Sequence, residues 1–375
     1  MDAQLNIIDT TLREGEQSPG VLFSMDDKKK ILSGLVDIGI TEAEVGISSY
    51  LHPDAALLIN HCRGKHPRLK LSLWCRCKKE DICYAAKQKP DILSLSIPLS
   101  DIHLADRLGK DRNWARAVMV KSIRYARKCG MAVSVGFEDA TRCDPGFLVN
   151  MAMIAERSGA MRIRIADTVG IASPGHFTRL VASLKTELSR CTIGVHTHND
   201  FGMATANSIA ALEAGASSVD VVVLGLGERT GCARLEEVVG YLSLIKGHHL
   251  LHPQFLKPLA TSVAKLTSKP ISGTRPVIGE AIFSCETGLH LQGLHNNPKC
   301  YEPFSPERVQ ARRKLLYGSK SGKNALHFRL NQLQPNCCRT LSSATVQRLR
   351  RAAASNGGQL SDAELLHLIA VSSTE

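Results

Sequence analysis

Arg162-Ile163-Arg164-Ile165-Ala166 reads as a short strand, Pro174 to Leu188 as an amphipathic helix, and Ile193-Gly194-Val195-His196-Thr197 as a second strand. Strand, helix, strand at this spacing requires parallel strands joined by a crossover. The unit repeats outward in both directions. Apolar runs at Leu5 to Asp9, Ala43 to Gly46, Leu71 to Cys75, Ile92 to Ile97, Ala132 to Gly136 and Val219 to Val223 bring the strands to eight. Helical patterns at Met25 to Ile38, Asn113 to Lys128, Pro145 to Ser158 and Gly202 to Ala214 lie between them, and Leu235 to Lys246 follows the last. Eight such units in roughly 250 residues predict an α/β fold of the closed (β/α)8 TIM barrel type. A doubly wound open sheet is the competing architecture.

Beyond Lys246 the rhythm changes. His252 to Lys269 reads as helical, Pro270 to Gly279 as an irregular connector, and Ser343 to Ser355 and Ser361 to Val371 as closing helices. The expected division is a catalytic barrel over 1–250 and a small, mostly helical C-terminal appendage over 251–375. Such an appendage is too small for a rich core of its own, so it is expected to pack on a barrel.

With 375 residues and 43% apolar content, the chain can bury a large core. Met1 to Leu5 lacks the start of a signal peptide, and no apolar run of ~18 residues could span a bilayer, so a cytoplasmic protein with no membrane contact is expected. The twelve cysteines have no framework spacing and read as free thiols; Cys75-x-Cys77 and Cys337-Cys338 are too close-set for a zinc knuckle. A net charge of +12 fits nucleic acid, a membrane surface or a polyanionic small molecule. No nucleic-acid motif accompanies it, and no nucleic acid partner is expected.

A barrel gathers its chemistry at the C-terminal ends of the strands. Arg13-Glu14 follows the first strand, Glu44 ends the second, Arg76 the third, Ser96 the fourth, and Glu138-Asp139 the fifth. Thr168 follows the sixth, His196 and His198 end the seventh, and Gly225 to Arg229 follows the eighth. In a strand, His196 and His198 point to the same side, and imidazole with carboxylate is a donor set for a catalytic divalent metal. Mg, Mn and Zn all tolerate it.

Asp9-Thr10-Thr11-Leu12-Arg13-Glu14-Gly15-Glu16-Gln17, His196-Thr197-His198-Asn199-Asp200 and Leu224-Gly225-Leu226-Gly227-Glu228-Arg229-Thr230-Gly231 together spell a family. The chain resembles the metal-dependent acyl-CoA condensing and cleaving TIM barrels: isopropylmalate, citramalate and homocitrate synthases and hydroxymethylglutaryl-CoA lyase. Trp74-Cys75-Arg76 and Glu138-Asp139-Ala140-Thr141-Arg142 resemble the homocitrate synthases of nitrogenase cofactor assembly. Three positions depart from the family pattern: Cys232 stands where Asn is common, and Cys285 and Lys320 each stand where His is common.

The resemblance implies a divalent metal on Glu14, His196 and His198, with Gln17 and Glu44 orienting that site. It implies a Claisen condensation of acetyl-CoA with a 2-oxo acid, followed by thioester hydrolysis. Arg13 is then expected to stabilise the developing oxyanion. The methyl proton of acetyl-CoA needs a base, and His290 with Tyr301 and, separately, Glu138 are unranked candidates. The resemblance further implies that His290 crosses a homodimer to a neighbouring barrel. Thr168 is expected to donate to the oxo acid's carboxylate. Arg76 is expected to pair with the distal carboxylate of 2-oxoglutarate, which would be costly to bury unpaired. Homocitrate synthase is the leading expectation. Another 2-oxo acid, as in isopropylmalate or citramalate synthases, and carbon–carbon cleavage by a lyase are the alternatives.

Overall fold

The computed structural model describes residues 5–50, 52–335 and 341–371. Its strands are β1 (Asn6–Asp9), β2 (Glu42–Ile47), β3 (Lys70–Arg76), β4 (Ile92–Pro98), β5 (Ala132–Glu138), β6 (Arg162–Asp167), β7 (Thr192–Thr197) and β8 (Ser218–Val221). All run parallel and neighbour one another in sequence order. Asn6 to Asp9 pair in register with Ser218 to Val221, so β1 meets β8 and the sheet closes; the open-sheet alternative is excluded.

Helices α1 (Met25–Ile38), α2 (Asp54–Lys65), α3 (Lys79–Gln88), α4 (Arg112–Lys128), α5 (Pro145–Ser158), α6 (Pro174–Glu187), α7 (Ala204–Glu213) and α8 (Leu235–Leu244) make the crossovers and the outer layer. Their ends are written in capping residues. Ser24 and Asp27 form a reciprocal capping box at the start of α1, Asp144 accepts from Phe147 N ahead of Pro145, and Ser173 accepts from His176 N ahead of Pro174. Helices α2 and α3, which the sequence pattern does not single out, lack a side-chain cap.

Alternation along the strands sorts the residues. Leu71, Leu73, Leu93, Leu95, Val133, Val135, Ile163, Ile165, Val195 and Val219 are fully buried, the apolar set that such a sheet presents to its helices. The intervening positions are polar and buried inside the barrel. Arg162 of β6 reaches Glu42 of β2 through two bonds of 2.9 and 2.8 Å, and Arg164 one layer up reaches Glu44 at 3.3 Å and Asp220 at 2.8 Å. Removing one member of such a buried pair leaves a charge uncompensated, at a cost of about 3–5 kcal/mol.

The first compact unit extends to residue 271, and the second runs from 272 onward. The boundary thus lies later than the expected 250/251, because α9 (Leu256–Thr267) buries Leu256, Leu259, Ala260 and Val263 and packs on α1 and α8. The second unit contains α10 (Gly288–Asn296), α11 (Lys323–Leu333), α12 (Ser343–Ser355) and α13 (Asp362–Val371), with two short two-stranded ladders. Although expected to be too small for a rich core, it has a core of its own. Leu291, Tyr317, Ala325, Leu326, Leu330, Leu341, Leu349, Leu365 and Ile369 form one, drawn from all four helices and the segments between them. The ten cysteines among the described residues are free; Cys337 and Cys338 lie outside them. No helix of the described residues is long and apolar enough to cross a membrane.

Candidate functional site

The turn after β1 sets the first two functional side chains. The amides of Arg13, Glu14 and Gly15 all reach Thr10 O, at 3.0, 2.7 and 3.3 Å, and Asp9 accepts from Thr11 N and Oγ1 at 2.9 Å each. This knot turns Arg13 and Glu14 inward, where they are buried. Arg13 bridges two carboxylates, donating to Glu14 and, through Nε, to Glu44 Oε1 at 2.5 Å. Burial works to raise the Glu44 pKa, but Arg13 and Arg164 outweigh it and hold the group below its ordinary range, so it stays ionised.

Across the mouth, His196 near the end of β7 and His198 just past it stand with ring centroids 5.1 Å apart. Glu14 Oε2 lies 3.6 Å from His196 Nε2. The other ring nitrogen, Nδ1, faces Asp220 Oδ2 at 3.0 Å, and the same oxygen accepts from Arg164. A carboxylate behind a histidine in this way fixes the tautomer that presents Nε2 outward. Burial lowers the pKa of both imidazoles against the pull of the nearby acids, that of His198 to about 3. Neutral imidazoles are the form a metal takes.

Glu14, His196, His198 and Cys232 are all buried, with one ligand atom from each lying within 4.8 Å of the others. The donor set and its spacing fit a divalent metal, as the sequence leads one to expect for the first three. Cys232 is the addition. It comes from the loop after β8, where Gly231 has φ +84° and a Cβ would strike Gly225 O at 1.8 Å, so the chain can fold back there only as glycine. The returning strand bridges His198 to Cys232, leaving Cys232 Sγ 3.8 Å from His198 Nδ1. Burial pushes the thiol up to about 12.

The remaining expected residues fall around this cluster. With its amide nitrogen turned toward the two acids, Gln17 donates to Glu14 Oε1 at 3.0 Å and to Glu228 Oε1 at 3.3 Å. Thr168 Oγ1 accepts from Asp139 N at 2.8 Å, leaving its own proton to donate. Arg229 clamps this side, gripping both oxygens of Asp200 at 2.9 Å and Thr168 O at 2.7 Å. Glu138 has both oxygens engaged, one by Ser96 Oγ at 2.6 Å and the other by Arg107. Arg76 is half exposed and held at two points by Asp81, at 2.6 and 3.1 Å.

In the second unit, considered by itself, His290 and Tyr301 do come together, ring centroids 4.2 Å apart, although eleven positions separate them. Gly293 makes this possible, since a Cβ there would meet Tyr301 Cε2 at 2.4 Å. Both rings are exposed, Tyr301 by 48%, and neighbouring Leu289 by 79%. Lys320 pairs with Glu286 at 3.4 Å.

The sequence reading does not single out Asp220, Arg164 or Arg107. The first two were detectable: a charged residue alternating with Val or Ile in a strand of a closed barrel must point into the lumen. Arg107 sits on a one-turn π-helix, His103–Arg107, whose register no simple periodicity reveals.

A family model described as HMGL-like matches residues 4–262. The chain belongs to the HMGL-like family. A second model, homocitrate synthase post-HMGL domain-like, matches residues 277–357. Among HMGL-like relatives, a homocitrate synthase of Frankia alni is 38% identical over 88% of this chain and 94% of its own length. A 2-isopropylmalate synthase of Caldanaerobacter subterraneus is 35% identical over 98% and 95%. The barrel is similar in fold to the HMG-CoA lyase of Bacillus subtilis, with a TM-score of 0.64 at 18% identity over 72% of this chain and 95% of that one. The chain is thus an enzyme of the HMGL-like synthase family, and its buried Glu14, His196, His198 and Cys232 form a cluster that could hold a metal ion.

Proposed function

We propose that the protein is a homocitrate synthase, condensing acetyl-CoA with 2-oxoglutarate and hydrolysing the thioester to homocitrate and CoA. The observation that carries the choice of acceptor is the match of residues 277–357 to the homocitrate synthase post-HMGL domain. The resemblance of Trp74 to Arg76 and of Glu138 to Arg142 to the nitrogen-fixation group supports use of the product in nitrogenase cofactor assembly.

Glu14, His196 and His198 would hold the divalent cation, which supplies Lewis acidity at the carbonyl oxygen of the oxo acid. Arg13, pinned between Glu14 and Glu44, keeps its guanidinium at the same place, where negative charge develops as the new carbon–carbon bond forms. Thr168 donates to the carboxylate next to the carbonyl. With both of its oxygens already engaged, Glu138 suits a positioning role better than that of a base. This leaves the His290–Tyr301 pair to take the methyl proton. Their joint exposure supports delivery to the barrel of a second chain in a homodimer.

For the distal carboxylate, Arg107 is better placed chemically than Arg76. Asp81 occupies the Arg76 fork at two points, whereas Glu138 engages one nitrogen of Arg107 and leaves the rest of its fork open. A CoA-release assay across 2-oxo acids, with products identified by mass spectrometry, tests the reading. Turnover with 2-oxoglutarate is expected to exceed that with 2-oxoisovalerate or pyruvate. Arg107→Leu should then raise KM for 2-oxoglutarate by one to two decades, the consequence of losing a charge-assisted contact of about 1.5–3 kcal/mol. Preference for 2-oxoisovalerate or pyruvate would reject the acceptor and keep the family.

A further inference from the structure

Cys232 is the one member of the buried cluster that the condensation leaves without a task. Its surroundings are built around the sulfur. A Cβ on Gly227 would stand 3.1 Å from Sγ, so glycine there leaves the thiol its space. The backbone of the returning strand is fixed on both sides of it, by Ala233 N to Thr197 O at 3.2 Å and by Asn199 N to Gly231 O at 2.9 Å. The side chain therefore has little freedom, and it points at His198.

The geometry also suits coordination. Zinc bonds of about 2.0 Å to nitrogen and oxygen and about 2.3 Å to sulfur give a tetrahedron with edges of roughly 3.3–3.6 Å. Glu14 to His196 measures 3.6 Å and His198 to Cys232 measures 3.8 Å, on opposite edges of such a figure. Every pair of donors lies within 4.8 Å, so the four side chains are near enough to close on one ion.

We infer that Cys232 is a fourth protein ligand beside Glu14, His196 and His198, in a site selective for zinc or another thiolate-seeking divalent ion over magnesium; the ion would expand beyond four-coordinate to take the oxo acid's carbonyl oxygen. The thiol proton passes to solvent as the sulfur–metal bond forms, with no change of oxidation state. Soft sulfur adds nothing for magnesium, which takes oxygen ligands in an octahedron, but adds a strong bond for zinc. The inference rests on the metal site of the proposed function.

The test is X-ray absorption spectroscopy of the full-length protein loaded with zinc, together with the optical spectrum after cobalt(II) substitution. One sulfur scatterer at about 2.3 Å and a sulfur-to-cobalt charge-transfer band are expected. Cys232→Asn should abolish both while retaining a bound ion, and should lower the zinc-to-magnesium affinity ratio at least tenfold. Stoichiometric zinc with only nitrogen and oxygen neighbours in the unaltered protein overturns the inference and spares the metal site. Failure to bind any divalent ion overturns both. Because the decisive spectra come from the unaltered protein, misfolding of the variant would not protect the idea.

Discussion

The barrel mouth and the second unit treat their reactive groups in opposite ways. At the mouth, Glu14, His196 and His198 are buried, and each is braced from behind by Gln17, by Asp220, or by the folded-back loop after β8. In the second unit, His290 and Tyr301 stack against each other and are exposed. The difference fits the role proposed for each. Groups that hold a cation have to be in place and dehydrated before substrate arrives, and the fold bears the cost of burying them. Groups that meet a reactant from outside have to remain reachable.

The strongest way to break this contrast is at the mouth. His196→Ala, or chelation of the unaltered protein, should lower activity by about three decades, in line with several kcal/mol of lost charge stabilisation. Metal analysis should find the ion gone from the variant, while circular dichroism finds the barrel intact. Undiminished turnover in metal-free protein would remove the metal from the mechanism.

Next in size is the exposed pair. His290→Ala should cost two decades or more as a lost base. Co-expressed with Glu14→Ala, it should form mixed dimers, each with one complete site. Random assortment makes half the dimers mixed, so about a quarter of normal activity should return if sites act independently. Heterodimers seen by native mass spectrometry but showing no recovery would mean that the pair does not serve a second chain.

Bracing is a smaller effect than ligation. Asp220→Asn keeps the shape of the group behind His196 but removes its charge. Metal affinity measured by competition with a chelating dye should fall about 10–100-fold with the fold retained. An unchanged affinity would show that β8 contributes position without electrostatics.

The last effect is on stability and concerns the loop that carries Cys232. Leu224 begins it in a left-handed conformation, φ +60°, and Glu236, buried beneath, accepts from Leu224 N at 3.1 Å. Burial raises the Glu236 pKa from its ordinary 4.5 to about 7. Between these values the unfolded chain has lost a proton that the native state retains, so stability falls as pH rises through this window and levels off above it. Glu236→Gln keeps the acceptor and cannot titrate. Its melting temperature relative to the unaltered protein should therefore rise from pH 4.5 to 7, by an amount equivalent to roughly 3 kcal/mol at most. A difference independent of pH would place the Glu236 pKa near its ordinary value.

Much of the barrel was legible because two periods and a few caps specify it. The limits of α1 and α5 follow from Ser24 and Gly39, and from Asp144, Pro145 and Gly159. Likewise the alternation in Gly194-Val195-His196-Thr197-His198 suffices to put two imidazoles on one side. The appendage is less legible: the residues of its core are dispersed through the segment with no single period, so nothing local in the sequence announces them.

The sequence by itself determined the eight-unit repeat, the family and the choice of three candidate metal donors, since each is carried by residues close together in the chain or by strand parity. Only the tertiary structure could decide that Asp220 stands behind His196, that Arg164 ties β6 to β2 and β8, and that Asp81 already holds Arg76. It also brought Cys232 against His198, 34 residues away. These pairings depend on barrel closure and on a glycine-permitted fold-back. Both are set by packing among distant segments, and no local pattern of residue types records them.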